Sequence, residues 1–152
     1  KVVLDSSNAA LTAGLKAKPW LVKPNHQELE AWVSHPLNRL EEIIAAAQQL
    51  KAEGIENVII SMGAKGSLWI NNEGVLKAEP AKCEKVVSTV GAGDSMVAGL
   101  IYGFEKGLSK AETLAFATAV SAFAVSQSNV GVSDLSLLAP ILEKVQITMI
   151  EG

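Results

Sequence analysis

Ser88-Thr89-Val90-Gly91-Ala92-Gly93-Asp94-Ser95 stands between a short β-branched run at residues 85–88 and a helical spacing at 95–106. That spacing brings Met96, Val97, Leu100, Ile101 and Phe104 to one side and stops at Gly107. A strand that leads through two glycines into an amphipathic helix is the unit from which helix-covered sheets are assembled. Outward from it the same alternation continues, with further strand candidates at residues 2–5, 20–23, 57–61, 68–71, 75–78 and 146–149. Asn71-Asn72-Glu73-Gly74 supplies hairpin chemistry between two of them, so part of an otherwise parallel sheet is expected to be antiparallel. Residues 37–53 place Leu40, Ile43, Ile44, Ala47 and Leu50 on one helical face, with Gly54 as the stop. Ser109 and Glu112 form a capping box for a helix that is apolar almost all round from 115 to 125, and that is therefore expected to be buried. Ser133 can cap a last helix over 135–144, in which Pro140 either kinks the helix or marks a late start. The expectation is one α/β domain, with no repeat and no linker.

Composition removes several functions. The chain has 152 residues, 13 Lys plus Arg against 16 Asp plus Glu, and 49% hydrophobic residues. With a net charge of -3 and Arg39 as the only arginine, no basic stripe exists to neutralise a nucleic-acid backbone. Cys83 is the only cysteine and His26 and His35 the only histidines, so neither an internal disulfide nor a spaced zinc-ligand set can form. A reducing, cytoplasmic setting fits the single cysteine. No apolar run approaches the roughly 18 residues of a membrane span.

Three segments could carry chemistry, and each has a purely structural alternative. The amides of Gly91, Ala92 and Gly93 at a helix start can bind an anion, while Asp94 can equally be a helix cap. Residues 58–68 form a second strand ending in a glycine loop, which either faces a phosphate or simply uses Gly63 and Gly66 for a turn. Lys23-Pro24-Asn25-His26-Gln27-Glu28 reads as a capping box of Asn25 and Glu28. At the rim of a parallel sheet the same carboxylate can orient water around Mg²⁺, and Lys23 can meet a phosphate. His26 is taken as a helix-start residue and His35 as a surface residue. Neither glycine loop matches the Walker pattern or the dinucleotide fingerprint.

Taken in order, the three motifs resemble those of the ribokinase-like carbohydrate kinases of phosphofructokinase B type, and the resemblance covers the whole chain. Gly91-Ala92-Gly93-Asp94 is similar to the family's carboxyl-proximal signature, Asn25-x-x-Glu28 to its magnesium-associated motif, and Ser61-Met62-Gly63-Ala64-Lys65-Gly66 to its nucleotide loop. The resemblance implies a three-layer fold, mostly parallel with an antiparallel hairpin portion. It implies Asp94 as the general base toward a sugar hydroxyl and the 91–93 amides as an anion hole. Lys23, Asn25, Ser61, Gly63, Lys65 and Gly66 would contact ATP, Thr118 and the 127–133 loop would lie toward the adenine, and Asn25 and Glu28 would organise Mg²⁺. The wording of residues 88–99 resembles the branch that phosphorylates fructose 1-phosphate, with tagatose 6-phosphate as the nearest alternative substrate. A non-catalytic nucleotide-binding module is the rival reading.

Two departures from the family follow. Many relatives have an aspartate where this chain has Ser88, which puts activation by potassium in question. Nothing in the chain resembles the family's sugar-binding segments and lid, so residues 1–152 are expected to be the carboxyl-terminal, ATP-binding half of a kinase domain. Chemistry by this half alone is expected to be feeble, because a lid excludes water and completes the site. Surfaces bared by the lost half would favour a homo-oligomer or a complementing partner.

Overall fold

A computed structural model of the protein describes residues 3–4, 8–62, 65–79, 92–126 and 139–151. In chain order the elements are β1 (Val3–Leu4), α1 (Asn8–Leu15), β2 (Leu21–Val22), α2 (His26–Val33), α3 (Leu40–Ala52), β3 (Asn57–Ser61), β4 (Ser67–Asn71), β5 (Gly74–Glu79), α4 (Ala92–Glu105), α5 (Lys110–Ser126), α6 (Ala139–Leu142) and β6 (Gln146–Glu151). The strand order of the sheet is β1-β2-β3-β4-β5-β6. The chain forms two compact units: β1 to β4 and α1 to α3 belong to one, α4 to α6 to the other, and β5 and β6 are divided between them.

In the first unit β1, β2 and β3 run parallel, with Leu21 opposite Asn57 and Val22 opposite Val58. β4 returns antiparallel to β3, pairing Ile59 with Trp69 and Ser61 with Ser67. Strand residues alternate between faces. Val22, Val58, Ile60, Leu68 and Ile70 therefore share the face that packs on Leu29 of α2 and Leu50 of α3. Leu21, Asn57, Ile59, Ser61, Ser67 and Trp69 occupy the other. Asn57, 5% exposed, makes a buried polar hub there. Its Oδ1 accepts from Trp69 Nε1 at 2.9 Å and from Asn71 Nδ2 at 3.2 Å, and its Nδ2 donates to the Trp20 carbonyl at 3.4 Å. The expected turn after Asn71 is present, with the Glu73 amide donating to Asn71 Oδ1 at 2.9 Å.

α3 starts at Leu40, three residues later than the periodicity predicts. The cause lies in Leu37, whose backbone is held by side chains of α2 instead of entering a helix. α1 was not expected from the spacing of apolar residues.

In the second unit α4 and α5 form a close pair. A Cβ at Gly99 would stand 2.7 Å from Ala117 Cα, and one at Gly103 would stand 2.6 Å from Thr113 Cγ2, so only glycine allows this approach. Tyr102 stacks on Phe116 with centroids 4.6 Å apart, and Lys106 Nζ lies 5.7 Å from the Tyr102 ring. The capping box of α5 is formed: the Glu112 amide donates to Ser109 Oγ at 3.1 Å, and the Ser109 amide to Glu112 Oε1 at 3.2 Å. Leu114, Ala117, Thr118, Ala119 and Val120 of α5 are buried, whereas Ala115, Phe116, Ser121, Ala122 and Phe123 are half-buried, so the burial expected over 115–125 is met on part of the helix surface among the described residues. α6 carries Pro140 as its second residue, and the stretch 135–138 expected to precede it in the same helix lies outside the described residues. The strand expected at 85–88 and the Ser133 cap lie outside the described residues.

Candidate functional site

The parallel pairing of β2 and β3 brings the carboxyl ends of both strands to one rim. The chain leaves β2 through Lys23, which is 4% exposed, and Pro24. The Pro24 carbonyl accepts from the Ser61 amide at 3.1 Å, and Asn25 and Ser61 form a parallel bridge. Two residues expected at a nucleotide are thus neighbours in space although 36 positions separate them in sequence.

Asn25 then caps α2. Its Oδ1 accepts from the Glu28 amide at 2.7 Å, and Glu28 Oε1 accepts from the Asn25 amide at 2.9 Å. The structural half of the earlier alternative is therefore realised. It does not exhaust the oxygens: a carboxylate offers about four lone-pair positions on two atoms, and an amide oxygen two. Among the described residues no group of three or more His, Cys, Asp or Glu could hold a metal ion. A Mg²⁺ bound here would rely on water and ligand phosphates for most of its coordination, which is this ion's ordinary habit. The donor set of Asn25 and Glu28 fits that kind of binding.

His26 opens α2, and its Nε2 donates to the Leu37 carbonyl at 2.7 Å. One turn later Glu30 Oε2 accepts from the Leu37 amide at 2.7 Å. Sequence reasoning missed this pair, although a His and a Glu four apart on a helix are a detectable signal. It also passed over Ser67, opposite Ser61 in the ladder. Ser67 is 2% exposed and its hydroxyl has no hydrogen-bond partner. His35 is exposed, as expected.

In the second unit, Lys65 is exposed and Gly66 buried, with Gly66 at φ +94°. A Cβ there would fall on the Ala78 carbonyl oxygen. Gly66 is thus required by the turn and by its neighbour's backbone, whatever else it contacts. α4 begins at Ala92, so Ala92, Gly93 and Asp94 are its first three residues. Asp94 lies within the first turn and is not the residue preceding the helix, which corrects its reading as a cap. The first amides of a helix have no intrahelical acceptor and lie at the positive end of its dipole, so Ala92, Gly93 and Asp94 present donors suited to an anion. Ser95 is 5% exposed and its hydroxyl is unpartnered. Thr118 is equally buried, but its Oγ1 donates to the Leu114 carbonyl at 2.7 Å, so its proton is committed to the helix. Gly63, Gly91 and the 127–133 loop lie outside the described residues.

Residues 1–136 match the family model described as pfkB family carbohydrate kinase. The chain is 95% identical over all 152 residues to 1-phosphofructokinase of Haemophilus influenzae, covering 49% of that protein. It is 53% identical over 146 residues to 1-phosphofructokinase of Escherichia coli, covering 96% of this chain and 46% of the relative. Among solved structures, phosphofructokinase-2 from Escherichia coli, in complex with substrates and products, superposes with a TM-score of 0.83 at 31% identity over 93% of this chain and 46% of that one. The chain spans about half the length of the curated relatives it matches.

Proposed function

The chain belongs to the pfkB family of carbohydrate kinases, and on that premise we propose that it is the carboxyl-terminal half of an ATP-dependent kinase that converts fructose 1-phosphate to fructose 1,6-bisphosphate. The 95% identity along the whole chain to a 1-phosphofructokinase carries the choice of substrate. In this reading Asp94 takes the proton from the sugar's 6-hydroxyl as that oxygen attacks the terminal phosphorus of ATP. The amides of Gly91, Ala92 and Gly93 stabilise negative charge on the phosphoryl group in transit. Transfer of a phosphoryl group is chiefly positioning and charge stabilisation, which is what free amides beside a carboxylate provide.

Lys23, Asn25, Ser61, Gly63, Lys65 and Gly66 are assigned to ATP, and Asn25 and Glu28 to Mg²⁺, which supplies neutralisation of phosphate charge when bound. Support for the grouping comes from the Asn25–Ser61 bridge and the capping box at the same rim. Thr118 keeps a role beside the adenine only through its methyl group and as an acceptor, given that its hydroxyl proton is bonded to Leu114. A cytoplasmic location and homo-oligomer formation are part of the same proposal. No helix among the described residues is long and apolar enough to cross a membrane.

The test pairs calorimetric titration of the chain with MgATP and a coupled kinase assay on fructose 1-phosphate with the full-length protein. Asp94→Asn should lower turnover by about 10²–10⁴-fold while leaving MgATP affinity similar, since a base acts on the hydroxyl and not on the nucleotide. Near-normal turnover by Asp94→Asn would remove the assigned base. Preference for an unphosphorylated sugar would refute the substrate.

A further inference from the structure

We propose that His26 and Glu30 are positioning residues for the Asn25–Glu28 pair, acting through the single peptide unit of Leu37. The inference rests on the reading of Asn25 and Glu28 as the metal-associated pair.

α2 has eight residues, and Leu29 is the only one of them that is buried. Its other apolar anchors, Trp32 and Val33, are partly buried against the core and lie toward the carboxyl end of the helix. The first turn, His26 to Glu28, has no apolar anchor of its own. Its capping box connects Asn25 only to Glu28, so it shapes the turn without fixing the turn's direction. The bridge to Ser61 fixes where the chain arrives, and Leu29, Trp32 and Val33 hold the later part of α2 on the core, so the remaining freedom lies in the orientation of the first turn.

The two bonds to Leu37 remove that freedom. His26 Nε2 and Glu30 Oε2, one helical turn apart, grip the carbonyl and the amide of the same residue, each at 2.7 Å. Leu37 is itself fixed, because its side chain is 2% exposed and belongs to the core. The helix is thereby tied at two heights to a point that cannot move with it. Glu28 is two residues from each member of the latch, about 200° around the helix, so reorientation of the first turn displaces its carboxylate directly. Supports one step removed from a metal-associated carboxylate commonly alter affinity by about 10–100-fold when lost.

The test is calorimetry with MgATP and with metal-free ATP, accompanied by melting curves. His26→Phe keeps a ring and deletes the donor. It should raise the Kd for MgATP about tenfold and leave that for metal-free ATP within about twofold. His26→Gln returns a donor at a similar reach and should restore MgATP binding. Glu30→Met, which preserves helix propensity, breaks the latch from its other end and substitutes if His26→Phe does not fold. The double variant should be no worse than the worse single one, because both sever the same contact. Equal weakening toward ATP with and without Mg²⁺, or failure of His26→Gln to rescue, overturns the proposal. Glu28→Gln separates the two levels. If it weakens MgATP while His26→Phe does not, the latch alone is wrong; if Glu28→Gln has no effect, or the unaltered chain binds no MgATP, the site reading falls with it.

Discussion

Replacing Gly103 by alanine in an open helix would add up to about 1 kcal/mol of stability, because glycine is the costlier residue to order. Here the opposite sign is expected. The new Cβ would stand 2.6 Å from Thr113 Cγ2, 2.7 Å from its Oγ1 and 2.9 Å from its Cβ. Carbon atoms rest at about 3.5–4.0 Å, so a withdrawal of roughly 1 Å is needed. Thr113 is 1% exposed and branched at Cβ, so rotating it only exchanges one close branch for another. α5 itself must move. Overpacking of this kind costs about 1–3 kcal/mol, which leaves a net loss of up to about 2 kcal/mol after the gain in helix propensity. In a chain of this length that lowers the melting temperature by up to about 8 °C. Thr113→Ala removes the two nearest atoms, and in that background the cost of Gly103→Ala should fall by at least half. Thermal and urea unfolding followed by circular dichroism measure both numbers. A rise in melting temperature for Gly103→Ala, or the same loss in both backgrounds, would refute the steric account.

Gly66→Ala combines strain at φ +94° with a Cβ on the Ala78 carbonyl oxygen, and should cost more than about 3 kcal/mol, seen as lost cooperativity on melting. A melting temperature within about 2 °C of the parent would contradict it. Asn57→Ala deletes the hub that joins Trp20, Trp69 and Asn71, and should lower stability by about 1–3 kcal/mol with a shift in tryptophan fluorescence. An unchanged urea midpoint would show that the hub is energetically idle.

Strands were the most legible elements. The β-branched run 57–61 matches β3 residue for residue, since Val58, Ile59 and Ile60 suit a strand buried on both faces. α1 was illegible because Asn8–Leu15 is apolar without a stripe, so no periodicity marks it. The start of α4 was placed too late because Gly91-Ala92-Gly93 reads as a turn, whereas Gly93 is held inside the helix. In the site, each motif was visible as a string, but the Asn25–Ser61 contact is not a property of either string. It exists only once β2 and β3 pair in parallel. The grip on Leu37 was equally hidden, because its target is a main-chain unit that any residue would supply.

The seam between α4 and α5 bears on how accurately the donors at residues 92–94 can be held. Most helix contacts are cushioned by side chains that change rotamer when one partner shifts. At Gly99 that cushion is missing, because α4 meets the backbone of α5 itself. A tilt of the first turn of α4 therefore cannot be absorbed locally and must carry α5 with it. Alignment of those amides becomes a property of two helices moving as one block, so a change far along α5 can blur it without touching any residue of the site.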